Sequence, residues 1–421
     1  MQRLAANSSL IEERTALEMR LLYTFIRWIH AFNRGKKIAL YCSDVFGAFD
    51  RVSSRQLLDK IRSFGLHSDL VSTLESWLRN RPAFVIVAGA SSPPLDLSDM
   101  VFQGTVWGPP LWNAFFGDSA CAIRAAGFDV IIYADDLNAF REYNLGVSDI
   151  LLFADMRECQ RELRTWGKAN QVVFDAGKEH MVVLSHQEPQ GVAVKLLGVK
   201  FDPKLLMNVA IHECVADVGW KMRTLLRTRR FHNDAALLGL WKSHILSFIE
   251  YRTPAFYHAS ESVLRPLDRC LSAFLRNVGI DDLSALVRFN LAPLRSRRDI
   301  AMLAVIHRAS LRLGPPVFHE YIFFSTLDLR RSARVHRHER QLVEYRDTGR
   351  KLEIMRRSLL GLVSVYNILP ASAVSSVTVA DFQCRLQDLL KEVAVQRHPQ
   401  WQYLYSPRLN FAHHPLLRVE A

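Results

Sequence analysis

Apolar residues three and four positions apart recur through much of the chain, and this spacing predicts amphipathic helices. The first covers residues 12–33 and is followed by Gly35, a residue typical of a helix stop. The same spacing predicts further helices at 53–66, 68–80, 149–169, 215–228, 234–248 and 262–278. The chain is therefore expected to be rich in helix.

Shorter apolar runs, rich in β-branched and aromatic residues, interrupt the helical pattern and predict strands. Residues 38–44 form one such run, and 83–90 with 95–101 predict a hairpin that turns across 89–94. In residues 131–140, strand-forming residues lie on both sides of Asp135 and Asp136. We therefore predict a second hairpin that holds both carboxylates at its tip.

A third carboxylate, that of Asp44, stands at the end of strand 38–44. Neighbouring carboxylates repel each other unless a proton or a cation lies between them. Hard cations such as Mg²⁺ bind oxygen ligands and leave room for substrate phosphates. Two such ions about 4 Å apart support phosphoryl transfer to a hydroxyl. Acidic pairs also occur in ordinary turns, so a plain surface hairpin is the alternative at this point.

Three segments, taken together, carry a more specific pattern. Residues 39–50, 102–113 and 131–140 resemble the motifs of reverse transcriptases, and their type is most similar to that of non-LTR (LINE-like) retrotransposons. The resemblance extends over about residues 15–315 and is strongest at 38–205. It implies an α+β right-hand polymerase. Such a fold has a palm with an antiparallel sheet backed by helices, here with partial fingers, a helical thumb and a helical C-terminal region.

The resemblance implies four segments along the chain. They are an N-terminal helix left from the fingers at 1–37, the palm and fingers at 38–205, the thumb at 206–285 and a basic helical C-terminal region at 286–421. In the last segment we expect an arginine-rich stretch at 328–358 and a helix at about 349–367. Few residues precede Asp44, so an N-terminally truncated chain is expected, without the basic residues that clamp the nucleotide triphosphate in this family.

The resemblance also implies roles for the acidic residues and for one lysine. Asp44 and Asp135 would bind two Mg²⁺ ions, or Mn²⁺ in their place, and Asp136 would be the weaker ligand. Lys178 matches a lysine proposed to protonate the departing pyrophosphate as a general acid. The alternative for Lys178 is an ordinary exposed turn residue.

Residues beside these would contact the nucleotide. Val45 directly follows the first metal ligand, and the Phe49 ring would occupy the space that a ribonucleotide 2′-hydroxyl needs. Plain core packing is the alternative for Phe49. Gln103 and Gly104 would lie beneath the incoming nucleotide and the template base, since glycine permits a close backbone approach. The implied reaction adds deoxynucleoside triphosphates to a DNA primer on an RNA template.

Further residues would contact the template–primer duplex. Gly198 lies in a segment similar to the hairpin that grips the primer end, and Arg223, Arg227, Arg229 and Arg230 lie in the predicted thumb. Arginines bind phosphate oxygens and so position a protein on nucleic acid. A solvated helix face is the alternative for this arginine cluster.

Composition and charge narrow the class of protein. The net charge is +12, and the whole excess lies in residues 210–421, which fits phosphate attraction. No apolar run reaches the roughly 18 residues of a membrane span, and residues 1–7 lack the pattern of a signal peptide. The six cysteines are scattered without a Cys-x-x-Cys pair, which argues against a zinc knuckle or a disulfide framework. We expect an intracellular protein of the nucleus and cytoplasm, with no membrane partner.

Three alternatives stay open at the level of function. The first is a catalytically inactive retrotransposon relic that retains at most nucleic-acid binding. The second is a viral-type RNA-dependent RNA polymerase, against which Phe49 and the Tyr133–Ala134 pair argue. The third is a group II intron maturase, against which the lack of a recognisable DNA-binding or Cys-rich endonuclease tail argues. The sequence leaves the oligomeric state undetermined.

Overall fold

The computed structural model describes residues 2–97, 99–325, 337–345 and 353–418, with side chains described from residue 18 onward. The chain divides into two compact units. We call Lys36–Leu197 the sheet unit, and Met1–Gly35 together with Gly198–Ala421 the helical unit. Helices and small antiparallel sheets both occur, so the prediction of a mixed α and β fold is confirmed.

Of the ten strands in the residues that the structure describes, nine lie in the sheet unit. In chain order they are β1 (Lys36–Ser43), β2 (Pro82–Ala83), β3 (Ile86–Val87), β4 (Ala90–Ser91), β5 (Leu95–Asp96), β6 (Asp129–Tyr133), β7 (Asp136–Asn144), β8 (His180–Leu184), β9 (Val194–Leu196) and β10 (Val199–Phe201). Four of them form one antiparallel sheet in the order β6-β7-β1-β8. In its register, Ser43 of β1 is opposite Leu137 of β7, so the end of β1 meets the start of β7.

The single hairpin predicted over 83–101 is replaced by two small antiparallel ladders. Strand β2 pairs with β5, and β3 pairs with β4. The chain turns early because Ala88 and Gly89 have left-handed φ angles of 50° and 84°. Pro93 and Pro94 lack the N–H groups that a continuous ladder would need. Long strands therefore do not form in this segment.

Five helices complete the sheet unit: α2 (Ser54–Ser63), α3 (Ser68–Leu78), α4 (Gly108–Phe116), α5 (Ser119–Ala125) and α6 (Asp149–Asn170). Helix α6 confirms the prediction for 149–169, because its apolar stripe, including Leu152, Met156 and Leu163, is buried. The Ser148 side chain accepts a hydrogen bond from the Ile150 amide and so caps the start of α6. The core of the unit lies between the large sheet and these helices.

The described part of the helical unit contains the other α-helices. They are α1 (Gln2–Asn33), α7 (Asn208–Arg227), α8 (Asp234–Trp241), α9 (Ser247–Phe256), α10 (Glu261–Val278), α11 (Asp282–Phe289), α12 (Leu294–Ser310), α13 (Glu353–Arg356), α14 (Leu359–Tyr366), α15 (Ala371–Val374) and α16 (Val379–Val395). A π-helical turn at Lys242–Leu246 joins α8 to α9, so the helix predicted at 234–248 continues further than expected. None of the helices in the described residues combines the length and apolar character needed to cross a bilayer.

Part of the predicted basic C-terminal stretch lies outside the described residues. This applies to Arg330, Arg331, Arg334, Arg346, Arg350 and Lys351. The helix predicted at 349–367 corresponds, in its described part, to α13 and α14. The proposed division of the chain into fingers, palm, thumb and C-terminal region stays a prediction.

Candidate active site

Asp44 is held where β1 ends and the chain meets a second segment. The Asp44 carbonyl accepts a hydrogen bond from the Asp175 amide at 2.9 Å, and the Phe46 amide donates to the Val173 carbonyl at 2.9 Å. These bonds bracket a β-bridge between Val45 and Phe174. The backbone that carries Asp44 is therefore fixed on both sides. Val45, predicted to contact the nucleotide, is buried in the core of the sheet unit.

The second acidic site is the turn between β6 and β7. Tyr133 pairs with Asp136, so Ala134 and Asp135 form the turn itself. Ala134 has a left-handed φ of 51°, which is unusual for a residue with a side chain. The predicted hairpin is present, with Asp135 at its tip and Asp136 as the first residue of β7.

The structure brings the three carboxyl groups together. The Asp44 side chain lies within hydrogen-bonding reach of Asp135. Burial raises the pKa of Asp135, and the charge of Asp44 raises it further, against a hydrogen bond from the Asp135 backbone. The pKa of Asp136 rises to about 6, chiefly through burial and then through the charges of Asp135 and Asp44. Full ionisation of this cluster is therefore unfavourable without a compensating cation.

Lys178 supplies a positive charge beside this cluster. Its Nζ donates to Asp44 Oδ2 at 2.5 Å and lies 3.8 Å from Asp175 Oδ2. The hydrogen bond and charge of Asp44 together raise the pKa of Lys178. The lysine side chain is 64% exposed, so it contacts the site while remaining open to solvent. Such an amine can reach a group that binds at the carboxylates.

Glu179, which the sequence analysis did not select, fixes the chain directly after Lys178. Its carboxylate accepts hydrogen bonds from the Tyr41 hydroxyl at 2.8 Å, the Gln160 amide at 2.6 Å and the Arg164 guanidinium at 2.7 Å. These donors come from β1 and α6. No local pattern in the sequence connects residues so far apart, so these contacts could not be read from it.

Phe49 is half-buried at the start of a 3₁₀ turn, Phe49–Arg51. Its carbonyl accepts a hydrogen bond from the Val101 amide at 2.8 Å, and its ring lies 5.6 Å from the Trp112 ring. A Cβ added at Gly108 would come within 3.5 Å of Phe49 Cε1 and 3.1 Å of the Phe102 carbonyl oxygen. The Phe49 ring is therefore packed on one side by α4 and leaves part of its surface accessible.

Gln103 and Gly104 are exposed in the turn that precedes α4. Gly104 has a φ of 80°, and a Cβ placed there would meet no atom within 4 Å. The contact between this segment and the acidic hairpin comes instead from α4, where Trp112 Nε1 donates to the Ala134 carbonyl at 2.7 Å. Trp112 was not selected from the sequence, because a long-range side-chain contact leaves no periodic pattern.

The predicted duplex-binding residues all belong to the helical unit. Gly198 has a φ of 79° between β9 and β10. Arg223 and Arg227 are exposed on α7, and Arg230 is exposed in the following 3₁₀ turn. Arg229 donates to the carbonyls of the last residues of α10, the second of them at 3.4 Å. The Arg229 side chain is therefore held against the end of α10.

The acidic cluster has donors suited to a hard divalent cation. Within the described residues, no set of three or more His, Cys, Asp and Glu side chains forms a ready-made metal cage. Mg²⁺, however, is usually bound by one or two carboxylates together with water and substrate phosphates. The crowded carboxyls of Asp44, Asp135 and Asp136 fit that pattern, since a cation would relieve their mutual repulsion.

Comparison with known proteins gives a family for this part of the chain. Residues 3–201 match the family described as "Reverse transcriptase (RNA-dependent DNA polymerase)". No curated protein matches the chain. The matched range contains the three aspartates, Phe49 and Lys178. The prediction of a reverse transcriptase domain is confirmed for these residues, while the non-LTR type and the N-terminal truncation stay predictions.

Proposed function

We propose that this chain is the RNA-directed DNA polymerase of a non-LTR retrotransposon. The observation that carries the proposal is the convergence of Asp44 with Asp135 and Asp136 inside the matched reverse transcriptase range. Its partners would be an RNA template, a DNA primer and deoxynucleoside triphosphates, met in the nucleus and cytoplasm. The four-stranded sheet would form the palm, residues 206–285 the thumb and residues 286–421 a basic C-terminal region.

In this proposal Asp44 and Asp135 hold two divalent cations, Mg²⁺ or Mn²⁺, and Asp136 assists as the weaker ligand. The bound cations supply the positive charge that nucleotidyl transfer to a primer 3′-hydroxyl requires. Lys178, already protonated beside Asp44, gives its proton to the departing pyrophosphate. The carboxylates therefore provide the charge that binds metal, and the lysine provides the mobile proton.

Specificity in the proposed reaction comes from residues around the carboxylates. The exposed part of the Phe49 ring excludes a ribonucleotide 2′-hydroxyl, because that hydroxyl would find neither room nor a hydrogen-bond partner there. Gln103 and Gly104 lie beneath the nucleotide and the template base. Gly198 approaches the primer end, and Arg223, Arg227 and Arg230 contact backbone phosphates of the duplex.

Primer extension by the full chain on poly(rA)/oligo(dT) with Mg²⁺ tests this proposal. We expect Asp44→Asn and Asp135→Asn to lose at least about 10³-fold in rate, because each removes a metal ligand. Asp50→Asn is the matched control, since Asp50 is exposed in the neighbouring 3₁₀ turn, and its rate should stay within about threefold. Absence of extension by the unaltered chain, or equal rates in all variants, would overturn the proposal.

A further inference from the structure

Trp112 lies at the centre of an aromatic cluster in the sheet unit. Its side chain is 1% exposed within α4. Its ring stacks on Phe116 at 5.0 Å, with an interplanar angle of 19°, and lies against Phe49 at 5.6 Å with a 30° tilt. Phe115 follows at 6.1 Å. Such packing leaves the indole little freedom to rotate.

The polar edge of this indole has one defined partner. Trp112 Nε1 donates to the Ala134 carbonyl at 2.7 Å. A buried indole N–H normally finds an acceptor, but here the acceptor belongs to the turn that carries Asp135. Ala134 also has the left-handed φ of 51°, so its conformation needs support from the surroundings. The hydrogen bond supplies that support from a rigid helix.

The Ala134 carbonyl and the Asp135 amide belong to the same planar peptide unit. Fixing the carbonyl direction therefore fixes the plane from which the Asp135 side chain departs. The same indole packs against Phe49, the ring that faces the sugar in the proposed function. One side chain thus contacts both the metal-binding turn and the residue proposed to select the sugar.

We propose that Trp112 is a positioning residue that holds the Asp135 turn and the Phe49 ring in fixed relative places. Its effect on catalysis rests on the proposed polymerase function, but its effect on the turn does not. A core residue with only a packing role would change the stability of the sheet unit without changing metal affinity or sugar selection. Substitution of Trp112 should change both metal affinity and sugar selection, because Trp112 contacts the Asp135 turn and the Phe49 ring.

The chain offers a matched control in Trp166. Its Nε1 donates to Asp118 Oδ1 at 3.1 Å, and its ring meets the same Phe116 edge-on at 5.5 Å. Trp112→Phe and Trp166→Phe therefore each remove one indole donor next to one shared ring. Only the first removes a hydrogen bond to the Asp135 turn.

Three measurements on the full chain separate the two variants. Amide hydrogen exchange of residues 130–138 should become about tenfold faster in Trp112→Phe, because a buried hydrogen bond is lost. Mn²⁺ binding, followed by electron paramagnetic resonance, should weaken about fivefold, since the turn supplies a ligand. The kcat of primer extension should fall about 30-fold, while the KM for the nucleotide should change by less than about threefold. The preference for dTTP over UTP should also fall. Trp166→Phe should stay within about twofold in all three.

If a folded Trp112→Phe variant shows unchanged amide hydrogen exchange at residues 130–138, the positioning role is wrong, whatever the activity of the chain. Loss of Mn²⁺ binding in Asp135→Asn without any change in Trp112→Phe would overturn it as well, while leaving the polymerase proposal in place. Failure of Asp135→Asn to affect Mn²⁺ binding and extension would instead overturn the polymerase proposal. Should Trp112→Phe not fold, 3-benzothienylalanine at position 112 keeps the ring shape without the donor, and the same exchange result is expected.

Discussion

Two carboxyl groups, the half-buried Asp136 in the sheet unit and the buried Asp299 in the helical unit, have similarly raised pKa values but neighbouring charges of opposite sign. The pKa of each is about 6, and burial is the largest cause in both. Around Asp136 the next causes are the charges of Asp135 and Asp44, which raise the pKa further. Around Asp299 the next cause is the charge of Arg408, which lowers it.

The neighbours of Asp299 form a closed network in the helical unit. The Tyr257 hydroxyl donates to Asp299 at 2.8 Å, and Arg408 lies 3.8 Å away. In the same region Arg298 donates through two nitrogens to both oxygens of Asp268, at 2.7 and 2.9 Å. A raised carboxyl pKa therefore does not identify a functional site by itself. The two sites differ in the sign of the strongest neighbouring charge, which is negative at Asp136 and positive at Asp299.

The largest expected effect concerns the buried ion pair between Arg298 and Asp268 in the helical unit. Arg298→Ala should lower the free energy of unfolding by about 4 kcal/mol, because it leaves the Asp268 carboxylate buried without its bidentate partner. Arg356→Ala is the control, since Arg356 and Glu353 form an exposed ion pair at a similar 2.8 Å, and it should cost less than about 1 kcal/mol. Chemical denaturation measures both. Equal losses would show that burial does not distinguish the two pairs.

The next effect concerns the lysine beside the crowded carboxylates. Lys178→Ala should lower kcat for primer extension about 100-fold with the nucleotide KM within about threefold, because the proton donor is lost. Lys178→Arg keeps a positive charge near Asp44 but holds its proton too tightly to transfer it. Single-turnover kinetics measure the two variants. Full activity in Lys178→Arg would assign the residue an electrostatic role and not proton donation.

A smaller effect follows from the pKa of Asp136. Metal binding needs deprotonated ligands, so the affinity for Mn²⁺ should rise about tenfold between pH 5 and pH 6.5 and level off above the pKa of about 6. Electron paramagnetic resonance of free Mn²⁺ measures this dependence. Asp299→Asn is the control and should leave the profile unchanged, since that carboxyl belongs to the other network. A flat profile in the unaltered chain would remove Asp136 from the metal ligands.

The smallest effect is on stability, and its sign is opposite to that of Arg298→Ala. The folded-state pKa of Asp136 lies above its ordinary value of 3.8, so the folded chain binds more protons and loses stability as pH rises from about 4 through 6. Asp136→Asn should therefore raise the free energy of unfolding at pH 7 without metal by about 1 kcal/mol, reduced by partial solvent screening. The difference should vanish near pH 4, as denaturation at both pH values would show. Destabilisation at pH 7 would contradict the crowding of these carboxyls.

Much of the local structure was predictable because it follows from short-range patterns. The apolar stripe of α6 and the strand–turn–strand pattern around Asp135 both identified their elements. The hairpin at 83–101 was mispredicted because the chain already turns at Ala88 and Gly89, and the left-handed φ of Ala88 has no signature in the sequence. The grouping of residues 1–35 with 198–421 also could not be read from the sequence, since it depends on contacts between distant segments.

The candidate site shows the same limit. The aspartates and Lys178 were recognisable, because motif order and spacing single them out. The contacts that orient them were not, since Glu179 with Tyr41 and Trp112 with Ala134 join residues that are far apart in sequence. Short sequence motifs therefore identify the candidate residues, whereas the orientation of their side chains depends on tertiary packing.

The missing side chain at Gly108 has a consequence for how closely α4 can approach the turn before it. A Cβ at position 108 would lie 3.1 Å from the Phe102 carbonyl oxygen and 3.3 Å from Thr105 Oγ1, whereas its distance of 3.5 Å from Phe49 Cε1 would be an ordinary contact. An alanine there would therefore crowd the turn that precedes α4 and leave the Phe49 ring in place. Tolerance of a larger residue at position 108 thus depends on whether the backbone around Phe102 can shift by a few tenths of an ångström.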